Sequence, residues 1–155
     1  MAKSNIVDCG PTYIHQSIIA HAHTIKHENY KTNTTKQFQK HQGLTSDCAK
    51  FMALVGGKIN IHPSKMDMVY FSVAKGAEPH TDLLDPNVFT NITYVIPVIL
   101  PKGDNTIYAD GDSAVVDVGR IYRFDHTKTH SMTVANEEDG AVLIMIAIKH
   151  WGSYA

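Results

Sequence analysis

"GRIYRFDHTKTHSMTVAN", residues 119–136, alternates polar and bulky apolar side chains, breaks at a polar turn and resumes as a second run. In an extended chain Arg120, Tyr122 and Phe124 share one face, and Ile121 and Arg123 share the other. The first strand ends at Phe124, the polar segment after it turns the chain, and His130 opens the next strand.

The same texture extends in both directions. From about Ile59 onward, short runs rich in β-branched and aromatic residues occupy 66–74, 90–100, 105–110, 113–118, 120–125, 130–135 and 141–149. Turn signals at Gly76, Pro86, Lys102-Gly103-Asp104, Gly111, Gly119 and Glu138-Asp139-Gly140 separate them. No helical segments intervene, which disfavours a parallel α/β fold. The upstream chain is helical in period. Ile14, Ile18, Ile19, Ala22 and Ile25 predict one amphipathic helix from Thr12 to about Tyr30. A shorter helix is expected from Ser46 to about Val55, with Ser46 or Asp47 as N-cap and Gly56-Gly57 as its stop. Residues 31–43, polar and lysine-bearing, read as a mobile surface loop that could serve as a lid. The expected architecture is mainly β, a jelly-roll or β-sandwich core with N-terminal helices packed outside one sheet. It is a single domain over 1–155, with 1–58 as helical support and 59–155 as the core.

At 155 residues the chain can bury a core without disulfide staples. A net charge of −1 and a pI near 6.8 make no electrostatic case for nucleic acid. Cys9 and Cys48 form no framework pattern and read as free thiols of a reducing compartment. The N-terminus lacks an apolar signal-peptide core, and the run Ala141–Ile148 is far too short to span a membrane, so a cytoplasmic protein is expected. The sequons at Asn33 and Asn91 read as ordinary polar and strand sequence. Ten histidines are many for this length, and position must decide which matter. His23 and His27 stand one helical turn apart, yet no third ligand is near, and a solvated face is the simpler reading.

His80 and Asp82 lie two positions apart in "KGAEPHTDLLDP", residues 75–86. Alternation along an extended backbone would aim both at a common point. A catalytic metal normally takes a third protein ligand, and two histidines with one carboxylate, leaving positions open, suit ferrous iron and dioxygen. His130 lies beyond a gap of 47 residues, and His126 in the preceding turn is its rival. The order His80-x-Asp82, then Gly119, Phe124 and His130, resembles the double-stranded β-helix of the iron- and 2-oxoglutarate-dependent oxygenases. "FDHTKTHSMTVANEEDG…VLIMIAIKHW" is similar to the C-terminal half of the prolyl hydroxylase and aspartyl/asparaginyl β-hydroxylase branches, and the likeness covers roughly residues 66–151. The resemblance implies that His80, Asp82 and His130 hold Fe(II), with His130 favoured over His126 by its spacing from Phe124. His126 would then line the entrance.

The resemblance also implies 2-oxoglutarate as co-substrate and hydroxylation of a small molecule or a protein side chain. Here the chain departs from the family, because the position usually taken by the arginine or lysine that anchors the co-substrate's distal carboxylate is Ala141. The substitutes the pattern offers are Tyr94 and Thr93 in "NITYVIPVIL" and Arg120 or Arg123, of which alternation lets only one point inward, whereas Lys149 lies too far along the last strand. Arg123 is the candidate if Phe124 packs outside the barrel, and Tyr94 with Arg123 is the assignment carried forward. Residues 31–43 or 83–89 are candidates to close over substrate. Two other readings stay open. One is a metal-binding cupin-like protein with a different activity, which Ala141 favours; the other is a non-catalytic jelly-roll assembly module. The compact chain resembles small oxygenase-like proteins encoded by bacterial viruses.

Overall fold

The computed structural model describes residues 4–28, 34–37 and 45–151. Among the described residues ten strands form two antiparallel sheets, with two helices on the outside of the larger one. The strands are β1 (Ile6–Pro11), β2 (Thr34–Gln37), β3 (Met66–Ala74), β4 (Ala77–His80), β5 (Phe89–Ile99), β6 (Thr106–Ala109), β7 (Asp112–Val115), β8 (Arg120–Asp125), β9 (His130–Thr133) and β10 (Ala141–Lys149). The larger sheet has the order β1-β8-β5-β10-β3-β2 and the smaller β4-β9-β6-β7. This is the double-stranded β-helix, mainly β with N-terminal helices.

β10 shows why the apolar run 141–149 is uninterrupted. It lies between β5 and β3 and is covered on both faces. Val142, Ile144, Ile146 and Ile148 face the helices together with Val69, Phe71, Val73 and Ile96. Ala141 and Leu143 face the smaller sheet, with Val95, Tyr122, Phe124, Ile107 and Met132. The larger sheet thus separates a helix-side core from an inter-sheet core, and residue parity decides which core a side chain joins.

α1 (Gln16–Glu28) buries Ile18, Ala22 and Ile25 on one stripe, and the Nδ1 of His15 accepts from the Ser17 amide at its start. The Ser17 hydroxyl donates to Asp47 at 2.6 Å, tying the two helices together. α2 (Thr45–Ile59) buries Cys48, Phe51, Met52 and Val55, the spacing of a single helix face. It runs through Gly56-Gly57, where a stop was expected, and ends at Asn60, whose φ of 58° provides the left-handed residue that closes a helix. Gly56 serves a different purpose, since a Cβ there would come 2.5 Å from the Ile61 carbonyl oxygen. The returning chain needs that space.

Three strands have no counterpart among the runs read from the sequence: the four-residue β4, β2 and β1. β2 lies within 31–43, read above as a loop; residues 34–37 instead pair with β3, and the remainder of that segment is outside the described residues. β1 pairs with β8, and Ile6 is its one buried residue, too little apolar pattern to announce a strand. Neither Cys9 nor Cys48 is in a disulfide. Among the described residues no helix is long and apolar enough to cross a membrane.

Gly140 sets the entry to β10. Its φ is +74°, its amide donates to Asn136 at 2.9 Å, and a Cβ would lie 3.2 Å from the Ala74 carbonyl oxygen. Gly140→Ala is expected to cost more than about 1 kcal/mol, because a methyl group is disfavoured at positive φ and the neighbouring backbone cannot retreat. A lower urea midpoint at unchanged slope is the measurement that checks it.

Candidate metal centre

The two histidines and the aspartate separated along the chain converge at one place between the sheets. His80 ends β4, His130 begins β9, and the two residues are partners in the β4–β9 ladder. Their ring centroids are 4.3 Å apart. Asp82 sits beyond the end of β4, so strand alternation does not aim it; the loop does, through its amide donating to the His126 carbonyl at 3.0 Å. The Nε2 of His80 lies 3.4 Å from Asp82 Oδ1 and the Nε2 of His130 lies 3.5 Å from the same oxygen. One ligand atom from each residue falls within 4.8 Å of the others.

The tautomers are set by the backbone. A carbonyl only accepts, so His80 Nδ1 donates to Glu78 O at 2.6 Å and His130 Nδ1 donates to Lys128 O at 2.8 Å. Each Nε2 is therefore left facing the shared point, an arrangement like that in which outer hydrogen bonds orient ligating imidazoles. Burial pushes the Asp82 carboxyl upward, but the hydrogen bond from His130 and the His130 and His80 charges outweigh it and hold it below the ordinary carboxylate value. Burial pushes His130 downward, while Asp82 and the Lys128 carbonyl outweigh that and raise it above 6.5. In the metal-free protein Asp82 stabilises the fold above its unfolded value and loses this as pH falls through the folded one. His130 stabilises below 6.5 and loses this as pH rises through its folded value. A metal bound at this group would have to displace that proton. Affinity for a divalent ion is expected to fall by roughly tenfold per unit as pH drops below the raised His130 value, measured by competition with a chelator.

His126 is not at the entrance. It is 2 % exposed, and its Nε2 donates to the Thr90 carbonyl at 2.9 Å. Its amide and carbonyl bond Asn91 O and the Asp82 amide. It fastens the Asp82 loop to the turn after β8, and the histidine grouped with His80 and Asp82 is His130. Phe124 packs inside, with its ring centroid 4.8 Å from that of His130.

That inward Phe124 decides the arginine question. By alternation Arg123 lies on the helix side, where it hydrogen-bonds Tyr94. Tyr94 itself is buried in the helix-side core. The structure does not bring Tyr94 or Arg123 to the metal centre. Arg120 is also accounted for, its Nε donating to Asp8 at 2.9 Å at the surface. Lys149 Nζ lies 4.0 Å from Asp67.

The three residues form part of the wall of a cavity of about 160 Å³, whose other walls include Tyr70, Ser72, Val95, Phe124, Leu143 and Met145. A second cavity of about 200 Å³ shares Tyr70, Asp82 and Met145 and adds Leu83, Leu84 and Thr93. Tyr70 and Ser72 were missed in the sequence. The signal was the alternation of Tyr70, Ser72 and Ala74 against Val69, Phe71 and Val73 in β3, which separates the two faces once one of them is known to be apolar throughout.

No family model matches the sequence, and no curated protein matches it. Solved structures do match in shape. A prolyl-4-hydroxylase from Pseudomonas putida superimposes with a TM-score of 0.59 at 10% identity, over 96% of this chain and 94% of that one. A prolyl hydroxylase from Trichoplax adhaerens, in complex with a hypoxia inducible factor oxygen degradation domain peptide fragment, gives 0.62 at 9% identity, over 93% and 82%. The chain shares their fold.

Proposed function

We propose that the protein is a non-haem Fe(II)-dependent dioxygenase of the hydroxylase type that consumes a 2-oxo acid as co-substrate, with His80, Asp82 and His130 as the metal ligands. The observation that carries this is the convergence of two Nε2 atoms and one carboxylate oxygen within 4.8 Å, with both Nδ1 atoms already committed to backbone carbonyls. Such a donor set fits ferrous iron and leaves coordination positions for substrates. The prolyl hydroxylase neighbours share the fold that carries it.

Iron bound there would supply dioxygen activation; the chain's own part is to place and shield it. His80 and His130 present oriented neutral nitrogens, and Asp82 supplies the negative charge. Phe124 and Met145 give one side of the cavity an apolar wall. In overall balance, a 2-oxo acid, dioxygen and a C–H substrate give carbon dioxide, the carboxylic acid one carbon shorter, and an alcohol. The substrate is a small molecule or a side chain exposed on a partner protein, entering over the loop at Leu83, which is 96% exposed.

Anaerobic reconstitution with Fe(II), followed by oxygen uptake and carbon dioxide release with a panel of 2-oxo acids, tests this reading. One equivalent of bound iron and oxo-acid-dependent oxygen consumption are expected. Stoichiometric iron with no oxygen consumption on any oxo acid would sink it.

A further inference from the structure

The cavity beside the metal centre has a chemical character that the proposed reaction did not require. Its side-chain walls are largely apolar: Val95, Phe124, Leu143 and Met145 from the larger sheet, and Ile107 and Met132 from the smaller. Tyr70, Ser72 and Ser131 contribute hydroxyls. Among the described residues that line it there is no lysine and no arginine, and the charged or ionisable groups besides Tyr70 are the three proposed ligands. Of the two cavities that share walls with it, one adds Leu83, Leu84, Thr93 and Ala147 and no cation, and the other, beyond Ala77, Ser131 and Met132, adds Lys75 together with two acids, Glu78 and Glu137. Both arginines of the chain are engaged elsewhere, one with Asp8 at the surface and the other with Tyr94 on the far side of the sheet.

From these walls we infer that the co-substrate is a 2-oxo acid with an uncharged, branched aliphatic tail, and that 2-oxoglutarate is a poor ligand of this site. The inference rests on the oxygenase reading above and specifies its co-substrate. Charge balance carries it. Asp82 is ionised, so a divalent ion on the triad leaves one net positive charge, and the carboxylate next to the keto group neutralises it. A second carboxylate at the end of the tail would lie against Leu143, Val95 and Ile107 with only neutral hydroxyls to meet it. An ionised carboxylate taken out of water without a cation loses hydration and regains little. A branched aliphatic tail has the opposite balance, since these walls offer it dispersion contacts and release from water. The cavity of about 160 Å³ corresponds to about five water volumes, room for a short tail.

The order along the strands shows where the tail would run. Met145 pairs with Tyr70 beside Asp82, and Leu143 pairs with Ser72 one step further along the same face. Two residues along a strand advance about 6.6 Å, so Ser72 and Leu143 flank the part of the cavity remote from the ligands. A cation engineered at Ser72 would therefore stand where the second carboxylate of 2-oxoglutarate lacks a partner.

The test uses the Fe(II)-loaded protein under anaerobic conditions, titrated separately with 4-methyl-2-oxopentanoate, pyruvate and 2-oxoglutarate. The visible charge-transfer absorption that develops when a 2-oxo acid chelates ferrous iron is the readout. The branched acid is expected to bind at least about tenfold more tightly than either of the others, pyruvate lacking the tail and 2-oxoglutarate carrying the unpaired charge. Ser72→Lys is expected to move the preference at least about tenfold towards 2-oxoglutarate. Equal or tighter binding of 2-oxoglutarate by the unaltered protein overturns the inference, as does the absence of any oxo-acid band on iron-loaded protein. A folded, iron-binding Ser72→Lys variant with unchanged preference overturns it too. If that variant does not fold, the three titrations of the unaltered protein still decide. Failure to bind iron at all would instead remove the oxygenase reading beneath it.

Discussion

Asp82→Ala is expected to lower the affinity for ferrous iron by at least about 100-fold while leaving the fold in place. Asp82 is the hub of the centre, because each histidine Nε2 is placed against the same carboxylate oxygen, at 3.4 and 3.5 Å. Removing it leaves two neutral imidazoles and no charge to set against a dication. Loss of an outer-shell partner alone commonly costs 10–100-fold in metal affinity, so loss of a direct ligand sets about 100-fold as a lower bound. The fold tolerates the change for a separate reason. The side chain is 31% exposed and sits in a loop after β4, and what the loop gives to its surroundings is the backbone amide bonded to His126, which alanine retains. Competition with a coloured chelator, run beside a thermal melt of the metal-free proteins, separates the two effects. Stoichiometric iron of unaltered affinity in the variant would end the assignment of the site.

The second large effect is on stability. Phe71→Ala is expected to cost about 3–5 kcal/mol, the usual range for emptying a fully buried aromatic position. Phe71 is 0% exposed, faces the helices from β3, and pairs across the ladder with Ile144, also 0% exposed. Its ring lies 5.7 Å from that of His21 on α1, so the cavity would open at the junction of helix and sheet. Against a typical total of 5–15 kcal/mol this is a large fraction, and the neighbouring Tyr70 and Ser72 on the opposite face would lose their support with it. Urea denaturation followed by far-ultraviolet circular dichroism measures the loss. A cost under about 1 kcal/mol would mean that the helical layer does not press on β3 as described.

Much of the architecture was legible because burial leaves a periodic trace. β3 and β10 coincide with the runs 66–74 and 141–149, since central strands must be apolar along most of their length. β8 was equally plain at 120–125. The edge strands of the larger sheet were not. β2 reads Thr-Thr-Lys-Gln and β1 buries Ile6 alone, so neither carries an apolar pattern that local reading could detect. The continuation of α2 past Gly56-Gly57 was hidden for a related reason. The space that glycine leaves is taken by the carbonyl of Ile61, a contact made by the returning chain and unmarked in the local pattern.

The residue types and order of the candidate site, His80, Asp82 and then His130, are legible along the chain, as is the alternation that divides each strand into two faces. Which face is which comes from the packing of the folded molecule. Phe124 turned inward to His130, and that placed Arg123 with Tyr94 among the helices instead of in the cavity. It also withdrew His126 into a backbone anchor and brought Asp82 to the histidines through a loop hydrogen bond. Alternation states that neighbours point oppositely, but it carries no sign. The sign comes from packing one sheet on another, where burying the aromatic ring against the second sheet costs less than burying a guanidinium there without a partner.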